Sequence, residues 1–167
     1  MTAEIPHAST ANAVPADASP ACVIPLEQGH DVARAFAALA HLPHCVFLDS
    51  ATHDMELGRY SFLAADPFQF IKEPRAAGVG LETLAESLAP FTAPTLADLP
   101  PLQGGAIGLI GYEAATDFEP VGRARFDEFA VPCLAVGLYD VVVAFDHARE
   151  QGWIISQGFP ETDERRR

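Results

Sequence analysis

Lysine is nearly missing. Lys72 is the single one, and arginine brings the cations to only 10 against 23 acidic residues, for a formal net charge of −13. Three of those cations, Arg165, Arg166 and Arg167, close the chain, so the body is more acidic still. Such a surface repels phosphate backbones and anionic lipid, which argues against nucleic-acid and membrane partners. No apolar run approaches the roughly 18 residues of a membrane span. The N-terminus also lacks the basic start and apolar centre of a secretory signal. The expected compartment is therefore the cytoplasm. Cysteine is sparse too: Cys22, Cys45 and Cys133 are odd in number, widely spaced and without a Cys-x-x-Cys pair. That excludes a disulfide framework. Each lies in an apolar run, so all three are expected to be buried, inert thiols.

The 167 residues are 49% hydrophobic, a globular composition for one domain with a core of its own. Residues 1–20 are rich in Ala, Pro, Ser and Thr without apolar period, and are expected to form a disordered arm. The folded domain is expected over residues 21–160. ACVIPL reads as a strand. Asp31 to Leu42 reads as a helix with Val32, Phe36 and Leu39 on one face, closed by Pro43. Strands are then expected at His44–Ser50, Gly58–Ala65 and Phe68–Lys72, the last alternating aromatic and polar. Leu81, Leu84 and Leu88 mark a second helix. A Gly-punctuated strand spans Gly104 to Tyr112, and a helical turn is expected at Glu113–Phe118. One long apolar stretch runs from Leu134 to Asp146, with Tyr139-Asp140 near its middle. Past the turn HAREQG, Trp153–Ser156 is its hairpin partner. About seven strands and two helices, not in strict alternation, predict an α+β fold of mainly antiparallel sheet with flanking helices.

Most motifs that would carry chemistry are incomplete. Gly104, Gly105, Gly108 and Gly111 lack the Lys-Ser/Thr end of a phosphate loop and the Gly-x-Gly-x-x-Gly of a dinucleotide fold. They read as strand glycines that permit a bulge or a close backbone approach. His41 and His44 have no further ligands at metal-binding spacing. His44 and Cys45, as strand neighbours, point to opposite faces and make a poor thiol dyad. Ser50 lacks a nucleophile elbow. No catalytic residue and no metal ligand is assigned.

The most informative pair is HCVFLDSA and LGRYSFLAADP. If these strands are neighbours, Ser50, Arg59 and nearby backbone groups converge on a small polar ligand, and an arginine fork suits a carboxylate. Equally, Ser50 is a surface residue and Arg59 pairs with Asp49 or Asp54.

HLPHCVFLDSA, GRYSFLAADPF, LPPLQGGAIGLIGYEAATDFE and VGLYDVVVAFDH, in this order, resemble the N-terminal domain of chorismate-utilising enzymes. These are aminodeoxychorismate synthase component I and anthranilate synthase component I, and the second pair of motifs looks closer to the aminodeoxychorismate branch. The resemblance implies an α+β domain with a scaffold or regulatory role. It implies a larger catalytic domain elsewhere that binds chorismate and Mg²⁺, so that no cofactor belongs to this chain. Residues 161–167 would begin the linker to it. It implies a glutamine amidotransferase subunit as partner, and amination of chorismate to 4-amino-4-deoxychorismate for 4-aminobenzoate and folate synthesis. It also implies a tryptophan pocket at Ser50, Leu57, Gly58, Arg59 and Tyr60, completed by the catalytic domain. Here the Leu-Leu-Glu before the pocket serine has become Phe47-Leu48-Asp49, which keeps the character and shortens the acid. The alternatives are the anthranilate synthase of tryptophan synthesis and a stand-alone amino-acid-binding module.

Overall fold

Two antiparallel sheets form the domain. The computed structural model describes residues 21–27, 31–50, 52, 58–74, 80–119, 126 and 128–163. The expected arm over 1–20, Leu57, Asp54 and the end of the tail lie outside the described residues.

The larger sheet has the order β1-β8-β7-β3-β2. Its strands are β1 (Cys22–Pro25), β2 (Val46–Leu48), β3 (Tyr60–Ala64), β7 (Val141–Asp146) and β8 (Gln151–Ser156). The smaller sheet has the order β4-β6-β5, from β4 (Gln69–Glu73), β5 (Gly105–Ile110) and β6 (Leu134–Tyr139). All described pairings are antiparallel. The helices are α1 (Val32–Leu39) and α2 (Gly80–Leu88), and a 3₁₀ turn at Tyr112–Asp117 stands where a helical turn was expected.

Local chemistry explains the boundaries. Asp31 caps α1 by accepting from the Ala33 N–H at 2.9 Å. The helix stops short of Pro43, which cannot continue it. Phe36 on its apolar face stacks on Phe47 of β2, with ring centroids 5.1 Å apart. The long apolar stretch from Leu134 is two strands, not one, so the strands number eight among the described residues. The break is Asp140. Its Oδ1 accepts from the N–H groups of Gln157 at 2.9 Å and Phe159 at 2.8 Å, and Ser156 Oγ donates to its Oδ2 at 2.5 Å. These bonds hold the bend at Asp140, where the chain leaves one sheet for the other.

Packing divides accordingly. Ile71, Leu134, Val136 and Leu138 on the smaller sheet meet Leu84 and Leu88 of α2. Val142, Ala144, Trp153 and Ile155 form the core of the larger sheet, covered by Leu99 and Leu102 from the segment between α2 and β5. Tyr139, fully buried, bridges the two: it packs with Ala64 and Val46 of one sheet and Ile107 of the other. Its ring lies over Gly137, where a Cβ would come within 2.6 Å of ring carbon Cε2. Its hydroxyl donates to the His44 carbonyl at 2.6 Å. Burial pushes the phenol pKa up, which keeps that proton in place. Gly104 and Gly105, at φ of +134° and +117°, bear out the structural reading of those glycines.

One expectation about the cysteines fails. Cys133 is buried and Cys45 half-buried, but Cys22 is exposed. β1 is an edge strand and turns the Cys22 side chain outward, so an apolar neighbourhood in sequence does not bury it.

Candidate functional site

The residues singled out around Ser50 and Arg59 come from the end of β2 and the start of β3, and these strands are neighbours, with Leu48 opposite Phe62. Gly58 is buried, while Ser50, Arg59 and Tyr60 are half-buried. Leu57 lies outside the described residues. β7 runs along the other side of β3 and places Asp146 opposite Tyr60.

Arg59 pairs with Asp146, an acid outside the two expected, of which Asp54 lies outside the described residues. Its Nε donates to Asp146 Oδ1 at 3.0 Å and its Nη2 to Asp146 Oδ2 at 2.7 Å, a bidentate fork. The Asp146 side chain is 2% exposed and that of Arg59 30%. Asp146 also accepts from the Ala148 N–H at 3.1 Å, and Arg149 Nε stands 3.6 Å away. The Arg59 hydrogen bond holds the Asp146 carboxyl below its ordinary pKa against the opposing effect of burial. The same bond raises the guanidinium pKa. The guanidinium carbon stands 4.9 Å from the Tyr60 ring centroid, so the aromatic face shares in holding the cation.

Beside this pair, Ser61 joins Asp49 to His147. Ser61 is fully buried. Its Oγ donates to Asp49 Oδ1 at 2.5 Å and lies 2.6 Å from His147 Nε2. A hydroxyl has one proton. With that proton on the bond to the carboxylate, His147 donates its Nε2–H to the serine. The order is acid–serine–imidazole, whereas an activated serine needs the imidazole between serine and acid. The cluster is thus a brace, not a nucleophile. The His147 N–H also donates to the Arg59 carbonyl at 2.8 Å, which locks the β7 end to the β3 start.

Asp49, Ser61, Asp146 and His147 therefore belong to the site; sequence reasoning offered Asp49 only as a partner of Arg59 and gave the other three no role there. The available signal was the polar residues of GRYS and FDH at the ends of otherwise apolar strands. Their pairing across 87 positions was invisible without the register. A cavity of about 150 Å³ opens elsewhere, between Phe91, Gln103, Gly104, Gly105, Gln157 and Phe159, and includes none of the singled-out residues. Gln103 there is structural: its amide accepts from the Leu96 N–H and donates to the Leu96 and Pro100 carbonyls. Among the described residues no cluster of three or more His, Cys, Asp or Glu is placed to hold a metal ion, and no helix is long and apolar enough to cross a membrane.

No family model matches the chain. Curated relatives do. Anthranilate synthase component 1 of Saccharomyces cerevisiae is 36% identical over 113 residues, covering 65% of this chain and 22% of that protein. Aminodeoxychorismate synthase component 1 of Escherichia coli is 28% identical over 156 residues, 77% of this chain and 34% of that protein. Anthranilate synthase component 1 of Streptomyces coelicolor is 34% identical over 152 residues, 87% of this chain and 28% of that protein. The chain thus spans between about a fifth and a third of the length of these relatives.

Proposed function

From its homology to component 1 of aminodeoxychorismate and anthranilate synthases, we propose that this chain is the scaffold and regulatory part of an aminodeoxychorismate synthase component 1. The intact enzyme aminates chorismate to 4-amino-4-deoxychorismate in 4-aminobenzoate and folate synthesis. A chorismate-binding domain outside these residues supplies the catalytic groups and the Mg²⁺ site, and a glutamine amidotransferase subunit supplies ammonia. The observation that carries the reading is the similarity of 65% to 87% of this chain to component 1 proteins of both kinds. The site agrees with a supporting role, since its buried polar groups are matched to one another rather than to a substrate. Three of the four motifs of the resemblance also interlock: GRYS holds FDH through Arg59 and Asp146, and GLYD, in the same motif as FDH, holds HLPHCVF through Tyr139 and His44.

Ser50, Gly58, Arg59 and Tyr60, with Leu57, form the amino-acid pocket in this reading, and tryptophan is its ligand. Arg59 commits two of its five N–H donors to Asp146, so a bound carboxylate meets the others, on Nη1 and Nη2. The second reading, an anthranilate synthase component 1, rests on relatives at 36% and 34% identity that carry that name. Sequencing the gene past the Arg167 codon tests the proposal. A chorismate-binding domain is expected, in the same frame, a shifted frame or a neighbouring gene. Its absence from the genome overturns the enzyme reading and leaves the binding module, for which calorimetric titration with tryptophan is the measurement.

A further inference from the structure

Each sheet has two edges, and the four edge strands are β1, β2, β4 and β5. Natural edges are guarded against stray pairing by shortness, proline or charge. β1 is four residues long and ends in Pro25. β2 has three residues. β4 carries Lys72 and Glu73. β5, Gly105–Ile110, has six residues, GAIGLI, with no charge and no proline. Among the described residues it pairs only with β6. Its unguarded end is also apolar at the surface. Leu109 is 47% exposed, Ile110 53% and, just beyond, Tyr112 81%. The Gly111 N–H donates to the Cys133 carbonyl, which brings the segment before β6 alongside, and Phe129 on that segment is 85% exposed. Two rings at that exposure present on the order of 300 Å² of apolar surface, the size at which a patch usually marks an interaction site.

We propose that the β5 edge receives a strand from another part of the component 1 polypeptide, whose apolar side chains cover Leu109, Ile110, Tyr112 and Phe129. The inference rests on the function proposed above and names the surface that its two parts share. Relatives in which this chain's match is 22% to 34% of the length hold the occupant in the same molecule. A second copy of this chain fits poorly, because two bodies of net charge −13 repel. Exposed Glu119 and Glu128 flank the patch and favour an occupant with Lys or Arg beside its apolar run.

The test co-expresses the tagged chain with the part of Escherichia coli aminodeoxychorismate synthase component 1 outside its match to this chain, as a separate polypeptide. The wild-type chain and the control Val141→Lys, on an exposed position of the other sheet, are expected to capture it. Ile110→Lys, shown folded by circular dichroism, is expected to capture at least tenfold less. Equal capture by both variants overturns the proposal, as does no capture by the wild type. So does a discrete dimer of the chain alone that Ile110→Lys abolishes, since the edge then belongs to a second copy. A single-chain fusion of the same two parts is assayed for chorismate amination to separate the two claims. An active fusion with capture insensitive to Ile110→Lys refutes the β5 surface and leaves the function standing. An inactive fusion with capture that Ile110→Lys abolishes refutes the function and leaves the surface.

Discussion

Replacing Gly137 by alanine drives a methyl group into the Tyr139 ring. The new Cβ would lie 2.6 to 2.7 Å from Cε2, Cζ and the hydroxyl oxygen, well inside van der Waals contact. Tyr139 is 1% exposed and lies between the sheets, so the ring has nowhere to retreat without disturbing Ala64, Val46 or Ile107. Forcing an extra methyl into a packed site costs about 1–3 kcal/mol. Displacing the ring also breaks the 2.6 Å hydrogen bond to the His44 carbonyl, and a buried group left without its partner costs about 1–3 kcal/mol more. The sum is roughly 3–4 kcal/mol once partial relaxation is allowed, or about 10 °C in melting temperature for a domain of this size. Urea unfolding of Gly137→Ala, Tyr139→Leu and the double variant measures it. With the ring removed, the added methyl is expected to cost less than about 1 kcal/mol, giving a coupling of about 2 kcal/mol or more. A Gly137→Ala protein within about 0.5 kcal/mol of wild type, or the same penalty in both backgrounds, refutes the reasoning.

Other outcomes follow from the site. Asp146→Asn is expected to lower the melting temperature at neutral pH. Because the Asp146 carboxyl titrates below its ordinary value of 3.8 in the folded state, its stabilisation is present above that value and lost as pH falls through the lowered one. The gap between wild type and variant should therefore close in acid, and a gap independent of pH contradicts the pairing. Ser61→Ala removes the group that both Asp49 and His147 contact and is expected to destabilise by about 1–3 kcal/mol, read by urea titration; a neutral result shows that the brace carries no energy. Burial raises the Cys45 thiol pKa and hides Cys133, so alkylation of the folded chain should label Cys22 first. Mass spectrometry showing Cys45 modified as fast as Cys22 would contradict the packing.

Much of the fold was legible because its strands alternate in the ordinary way. Phe68–Lys72 anticipates β4 to within a residue, and the Leu81, Leu84, Leu88 spacing finds α2. His44–Ser50 was too long by two residues at each end: His44 adopts a φ of +48° and stacks on Phe70, which stops the ladder before Val46. The break at Asp140 was hidden because its cause is a carboxylate bonded to residues 16 to 19 positions away. The site was legible only by half. The two apolar runs anticipate β2 and β3 as neighbours, but the partner of Arg59 depends on β3 lying next to β7, a pairing that no local pattern encodes.

That pairing sets an order of events during synthesis. β3 has only the three-residue β2 to rest on until β7 arrives, and β1 has no partner at all until β8. Arg59 and Asp146 are separated by 87 residues, so at about 5–20 residues per second the arginine waits on the order of 4–17 s for its acid. Through that interval the apolar strands on the ribosome are uncovered. The larger sheet closes in a late step, from its centre outward, and a stall before β7 leaves a nascent chain whose natural fate is capture by a chaperone or aggregation.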